Sequence, residues 1–155
     1  RHVTVTGGEP LAQKACLSML RQLCDAGYEV SLETSGAIAV EDVDPRVSKV
    51  MDFKTPGSSE AAKNRFENVQ HLTAHDQVKF VICDRADYEW SKQVTVEHRL
   101  NERCEVLFSP SAQQLPAREL ADWIVDARLP VRFTIQLHKY LWGDKPGRCK
   151  KNSSK

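Results

Sequence analysis

The sequence has no excess of either charge, no apolar run of membrane length and no grouped cysteines. Its 22 Lys and Arg residues nearly balance 21 Asp and Glu residues, for a formal net charge of +1. Nonspecific binding to nucleic acid or to an anionic membrane needs a clear basic excess, which is absent here. A membrane helix needs about 18 consecutive apolar residues, and no run approaches that length. We therefore expect a protein that binds neither nucleic acid nor membrane.

The five cysteines also lack the spacing of a metal site. No two of them are separated by only two or three residues, as zinc and iron–sulfur ligands commonly are. Cys16, Cys83 and Cys104 have apolar neighbours, which is typical of small buried hydrophobic residues. An odd number of cysteines in a sequence without a recognisable secretory signal favours the reducing cytoplasm, so we expect a cytoplasmic protein. The sequence thus predicts no metal ligand within this chain.

The length of 155 residues is that of one domain, and a hydrophobic content of 41% is enough to form a core. We assign residues 1–147 to this domain and residues 148–155 to a flexible basic tail. Arg1 is followed almost at once by a strand-like run, Val3 to Thr6. Since domains seldom begin inside a strand, we expect the chain to be part of a longer protein.

Short β-rich runs alternate with amphipathic stretches along the chain. The predicted strands are residues 2–6, 28–32, 49–53, 77–83, 104–108 and 131–137. The predicted helices are residues 11–23, 58–72, 86–100 and 115–127, the third of them capped by Asp84. This alternation predicts an α/β protein with a parallel sheet and right-handed crossovers. Either an open doubly wound sheet or an arc of a β/α barrel satisfies it, and in both the functional residues gather where the strands end.

The sharpest motif is Gly7-Gly8-Glu9-Pro10, directly after the first predicted strand. Two glycines allow a tight turn that brings the main chain close to a ligand. Glu9 adds a carboxylate suited to a ligand ammonium group, and Pro10 favours the start of a helix. The motif lacks the pattern of a phosphate-binding loop, and its carboxylate would repel an anion.

After the Val-Thr-Val-Thr strand, this motif resembles the one with which radical S-adenosylmethionine enzymes hold the amino group of the cofactor's methionine moiety. Within that superfamily the chain is similar to the 7-carboxy-7-deazaguanine synthase family. The supporting segments are Leu32-Glu33-Thr34-Ser35-Gly36, Asp52-Phe53-Lys54 and Gln136-Leu137-His138-Lys139-Tyr140-Leu141. The resemblance implies a partial (β/α) barrel of radical S-adenosylmethionine type with about six parallel strands, lacking the first strand and the cluster loop.

The resemblance also implies roles for individual residues. Gly7, Gly8 and Glu9 would hold the methionine moiety of S-adenosylmethionine. The rest of the cofactor would be lined by Ser35, Asp52, Phe53, Lys54, Ser109, Pro110, Ser111 and Ala112. The pterin substrate would face Thr6, Gln136 and His138, with Lys139 as an additional candidate.

The family resembled converts 6-carboxy-5,6,7,8-tetrahydropterin to 7-carboxy-7-deazaguanine with loss of ammonia, a lyase step in queuosine biosynthesis. It implies S-adenosylmethionine, a [4Fe–4S] cluster and Mg²⁺ as cofactors, an electron donor such as a flavodoxin, and a homodimer. The ligands of the cluster and of Mg²⁺ are expected upstream of Arg1, so the chain as given is expected to be inactive. Two alternatives stay open, a glycyl-radical activating enzyme and a cluster-free α/β module that binds a metabolite.

Overall fold

The computed structural model describes residues 1–143, and the tail assigned to residues 148–155 lies outside the described residues. The strands are β1 His2–Val5, β2 Glu29–Thr34, β3 Ser48–Phe53, β4 Gln77–Ile82, β5 Glu105–Pro110 and β6 Arg132–Phe133. The α-helices are α1 Cys16–Asp25, α2 Arg85–Glu97, α3 Ala117–Asp126 and α4 Leu137–Trp142. Among these residues no helix combines the length and apolar character needed to cross a membrane.

The six strands form one parallel sheet in the order β1-β2-β3-β4-β5-β6. A doubly wound sheet reverses its strand order at a switch point, whereas a barrel adds each new strand beside the previous one. The sequential order therefore decides between the two predicted architectures and confirms the arc of a β/α barrel.

Helices α1, α2 and α3 all cover one face of the sheet. Their buried side chains pack with alternate strand residues: Leu20 of α1 and Leu32 of β2 belong to one buried cluster, and the ring of Tyr88 of α2 lies near that of Phe108 of β5. The intervening strand residues point to the opposite face, which is the inner face of a barrel arc. On β2, β3 and β4 these residues are half-buried: Ser31, Glu33, Ser48, Val50, Asp52, Gln77, Lys79 and Val81. The inner face thus carries polar and charged groups where a plain core would be apolar.

The prediction of a helix at residues 58–72 is wrong. The segment instead forms 3₁₀ turns at Pro56–Ser58, Ala61–Lys63 and Phe66–His71. Asn68 explains part of this shape, since its buried amide accepts from Val40 N–H and donates to the carbonyl groups of Gly36 and Ile38. These bonds fasten the segment to the β2–β3 connection. Such long-range anchoring leaves no local trace in the sequence.

The sixth strand is much shorter than predicted. Pairing with β5 covers only Arg132–Phe133, and the last ladder contact is the Thr134 N–H donating to the Phe108 carbonyl at 2.9 Å. Gln136 and Leu137, predicted as strand residues, stand at the start of α4. The fifth strand is longer than predicted, because Pro110 still pairs with Ile82.

The prediction that three cysteines are buried is confirmed for Cys16 and Cys104 and only partly for Cys83. Cys16 is 3% exposed and Cys104 is 8% exposed, whereas Cys83 is half-buried. Burial raises the pKa of the Cys104 thiol to about 11, so the thiol stays protonated near neutral pH. A protonated, buried thiol is a poor metal ligand.

Candidate functional site

The loop after β1 turns at Gly7 and Gly8, whose φ angles of 103° and 57° lie in the left-handed region that disfavours other residues. A Cβ added at either glycine would meet no atom within 4 Å. The glycines are therefore needed for the backbone conformation, and the space beside them is open to a ligand. Glu9 then caps the short 3₁₀ turn that begins at Pro10.

The Glu9 carboxylate is held by the end of β2. Thr34 Oγ1 donates to its two oxygens at 2.9 and 3.0 Å, and the Ser35 N–H and Oγ donate to Oε2 at 2.8 and 2.6 Å. The Leu11 N–H donates to Oε1 at 3.2 Å. Since a carboxylate offers about four acceptor sites, these donors fill it. Glu9 thus fastens the glycine loop to β2, and a ligand ammonium group would meet the main chain of that loop.

At the end of β3 the Lys54 Nζ lies 2.9 Å from Asp52 Oδ2, while Asp52 Oδ1 is buried without a hydrogen-bond partner among the described residues. The side chain of Phe53 is fully buried and packs against Phe66 and Phe80. Phe53 can therefore contribute only its main chain to a ligand site. Asp52 and Lys54 are the side chains that face the site at this strand end.

The end of β5 is more deeply buried than the end of β3. Ser109 is 1% exposed, and its Oγ has no hydrogen-bond partner among the described residues. Pro110 is also buried, and the Ser111 N–H donates to the Ile82 carbonyl at 2.8 Å. Ala112 is exposed beyond the strand. Of this group, Ser109 alone offers an unmet polar atom on the inner face.

A cavity of about 400 Å³ opens on the inner face, and the segment after β6 forms one wall of it. Its polar lining residues are Glu33, Gln77, Lys79, Ser109, Thr134, Gln136 and His138. The structure thus brings Gln136 and His138, expected to face the substrate, into one cavity with Ser109, expected to line the cofactor. Thr6 is exposed outside the cavity lining, and Lys139 also lies outside it.

Sequence reasoning missed Glu33 and Lys79 as site residues. Glu33 stands inside a quoted motif, but the alternation of β2 is what directs it to the inner face. Lys79 lies between Val78 and Phe80 in an otherwise apolar stretch. A lysine at such a position is a signal for a polar cavity, because a buried strand would otherwise favour an apolar residue.

Asp87 holds the loop that follows Lys54. Its carboxylate accepts from the Gly57 N–H at 2.8 Å, from Thr55 Oγ1 at 2.9 Å and from the Cys83 N–H at 3.1 Å. A Cβ at Gly57 would lie 2.6 Å from Asp87 Oδ2, so glycine permits this close approach. Asp87 therefore ties the ends of β3 and β4 to the start of α2.

Replacing Asp87 with asparagine is expected to lower the free energy of unfolding by about 1–3 kcal/mol. In the variant, the NH₂ group of the asparagine side chain would face at least one N–H or O–H donor that now donates to a carboxylate oxygen, so that donor would lose its acceptor. Urea unfolding measures the change, with the exposed Asp126→Asn variant on α3 as the matched control. A loss below about 0.5 kcal/mol, as at an ordinary surface position, would show that Asp87 does not hold this loop.

Comparison with solved structures shows the fold class. SuiB from Streptococcus suis, solved with bound S-adenosylmethionine, matches 87% of this chain and 38% of its own with a TM-score of 0.63 at 10% identity. SuiB solved alone matches with a TM-score of 0.60. With the sequential parallel strands, this likeness shows the fold of a partial β/α barrel.

Comparison with curated proteins shows the family. The 7-carboxy-7-deazaguanine synthase of Koribacter versatilis is 38% identical over 154 residues, covering 90% of this chain and 68% of that protein. The synthases of Chlorobaculum tepidum and Methanospirillum hungatei are 41% and 35% identical, and the match covers 65% and 58% of their lengths. The chain belongs to the 7-carboxy-7-deazaguanine synthase family, and it spans about two thirds of the length of these relatives. No family model matches it.

This membership decides against the two alternatives left open by the sequence. A glycyl-radical activating enzyme and an unrelated metabolite-binding module would belong to other families. The ordered motifs from Gly7 to His138 were therefore a reliable sign of the family.

Proposed function

We propose that the full-length protein containing this chain is a radical S-adenosylmethionine lyase that converts 6-carboxy-5,6,7,8-tetrahydropterin to 7-carboxy-7-deazaguanine with loss of ammonia. Membership in the family supports the reaction. The observation that carries the proposal is the cavity lined by Glu33, Lys79, Gln136 and His138. Glu33 directly precedes the two residues that hold Glu9, so the cavity lies beside the glycine loop. A flat pterin with donors and acceptors on its edges suits these polar walls.

The strand ends fit S-adenosylmethionine. Asp52 Oδ1 and Ser109 Oγ are buried polar atoms without a partner among the described residues, and buried polar atoms are normally hydrogen-bonded. They leave unmet hydrogen-bonding capacity for the hydroxyl or amine groups of a ligand. When bound, S-adenosylmethionine supplies the radical chemistry that starts the ring contraction.

The roles of this chain's residues are binding and orientation. Glu9 holds the glycine loop in position against β2, and the loop main chain receives the methionine moiety. Lys54 orients Asp52 at the end of β3. Gln136 and His138 present an amide and an imidazole to the edges of the pterin, and the segment that carries them forms one wall of the cavity.

The described residues do not form a ligand set for a [4Fe–4S] cluster or for Mg²⁺. No group of three or more His, Cys, Asp or Glu side chains among residues 1–143 could hold a metal ion. We therefore assign both groups to residues outside the described part of the chain. An electron donor such as a flavodoxin, a homodimer and a cytoplasmic location are further proposals that rest on the likeness to the family.

The full-length protein, reconstituted anaerobically with iron and sulfide, is expected to form 7-carboxy-7-deazaguanine from the carboxypterin. The reaction should require S-adenosylmethionine, Mg²⁺ and a reductant, and mass spectrometry of the product measures it. Omitting the reductant is the control and should abolish the product. Cleavage of S-adenosylmethionine with the pterin left unchanged would contradict the proposed function.

A further inference from the structure

The proposed pterin cavity has walls of opposite charge. Glu33 projects from β2 and Lys79 from β4, and the register sets Val50 of β3 beside Glu33 and Asp52 of β3 beside Lys79. Two strand spacings and two residues along the strand separate their backbone positions, about 12 Å. This separation is comparable to the long axis of a bicyclic pterin. These two groups would suit a molecule with N–H donors at one end and an anionic group at the other.

Lys79 has no hydrogen bond or ion pair among the described residues, although it is half-buried. Two lysines of β3 and its end differ in this respect, because Lys49 is paired with Asp76 and Lys54 with Asp52. Removing an ammonium group from water without a partner is unfavourable. Its place on the cavity wall therefore suits an anion supplied by the bound molecule.

We propose that Lys79 is the specificity-determining residue that recognises the carboxylate of the substrate. This inference rests on the proposed function, since the substrate carries a carboxylate at position 6 of the pterin. The ammonium group forms a charge-assisted hydrogen bond with that carboxylate, which selects carboxylated pterins over pterins without this group.

A different role for Lys79 would be to balance the charge of neighbouring Asp52, its register partner on β3. Lys54 already bonds to Asp52 Oδ2 at 2.9 Å. Lys79 forms no ion pair with Asp52 or with Glu33 among the described residues. A charge-balancing lysine would affect every ligand of the site alike. A carboxylate-recognising lysine affects only ligands that carry the carboxylate, and this difference is measurable.

Binding of pterin-6-carboxylate and of unsubstituted pterin to the full-length protein tests the inference. Fluorescence titration of wild type should show tighter binding of the carboxylated pterin. Lys79→Met should weaken binding of pterin-6-carboxylate roughly 10- to 100-fold and leave binding of pterin unchanged. Lys79→Arg keeps the positive charge and should restore most of the preference. The matched control is Lys92→Met on the outer helix α2, which should behave as wild type.

Turnover gives a second readout. Lys79→Met should raise the KM for the carboxypterin and leave the affinity for S-adenosylmethionine unchanged. A Lys79→Met protein that keeps the preference for the carboxylated pterin, or that weakens binding of both pterins equally, overturns the inference alone. A wild-type protein that binds neither pterin overturns the inference together with the proposed function.

Discussion

Replacing Asp76 with asparagine is expected to lower the free energy of unfolding by about 3–5 kcal/mol. Asp76 is 1% exposed, and its Oδ2 lies 3.0 Å from the Nζ of Lys49, which is 4% exposed. Its carboxylate also accepts from the Lys49 N–H at 2.7 Å and from the Thr73 N–H at 2.7 Å. The substitution leaves the Lys49 ammonium group buried without its counter-charge. Urea unfolding of the variant measures the loss.

The substitution of its partner, Lys49→Met, should lower the free energy of unfolding by less than Asp76→Asn does. It removes the ammonium group, while the Asp76 carboxylate keeps its donors from the main chain and from Thr73. The exposed Asp42→Asn variant is the matched control and should stay within about 0.5 kcal/mol of wild type. Equal losses of unfolding free energy for Asp42→Asn and Asp76→Asn would refute the view that the buried Lys49–Asp76 pair stabilises the contact between β3 and the start of β4.

Replacing Glu9 with glutamine is expected to weaken binding of S-adenosylmethionine by the full-length protein about 10- to 100-fold. The carboxylate accepts from Leu11, Thr34 and Ser35, and a glutamine amide would set its own N–H groups against some of these donors. Each donor left unsatisfied costs about 1–3 kcal/mol. The loop then leaves its position on β2. Isothermal titration with S-adenosylmethionine measures the affinity.

Hydrogen exchange of the chain itself provides an independent readout for Glu9→Gln. The amide protons of Leu11 and Ser35, which donate to the carboxylate, should exchange faster in the variant. Glu97→Gln, at an exposed position of α2, is the matched control. Unchanged exchange at both amides together with unchanged affinity would show that Glu9 does not position the loop.

Much of the sheet could be predicted because its signals are local. Strands β1, β3 and β4 follow from short β-rich runs, and Asp84 does cap α2 through the Asp87 N–H as predicted. The alternation of strands and helices likewise predicted the parallel sheet. The Gly7-Gly8 turn was recognisable because its backbone angles require glycine.

The largest error has a physical cause, which is that long-range contacts override local pattern. The polar segment at residues 58–72 has helical composition, yet Asn68 ties it to residues about 30 positions earlier. Residues 134–137 have a strand-like composition, yet pairing with β5 stops after Phe133. The contacts of Asn68 come from a distant part of the chain, so neighbouring residues could not predict them. After Thr134 the main chain instead starts the short helix α4, in which the N–H groups of Lys139 and Tyr140 donate to the Gln136 carbonyl.

The sequence by itself determined the α/β class and the parallel sheet, because these depend on periodicity, and its motifs resemble those of the family to which the chain belongs. Only the tertiary structure decided what the charged residues do. The parallel crossovers place Ser35 on Glu9, Thr55 on Asp87 and Lys49 on Asp76, each pair more than 20 residues apart along the chain. The same packing leaves Lys79 on a cavity wall without a partner among the described residues, because a side chain's partners depend on which distant strands lie beside it.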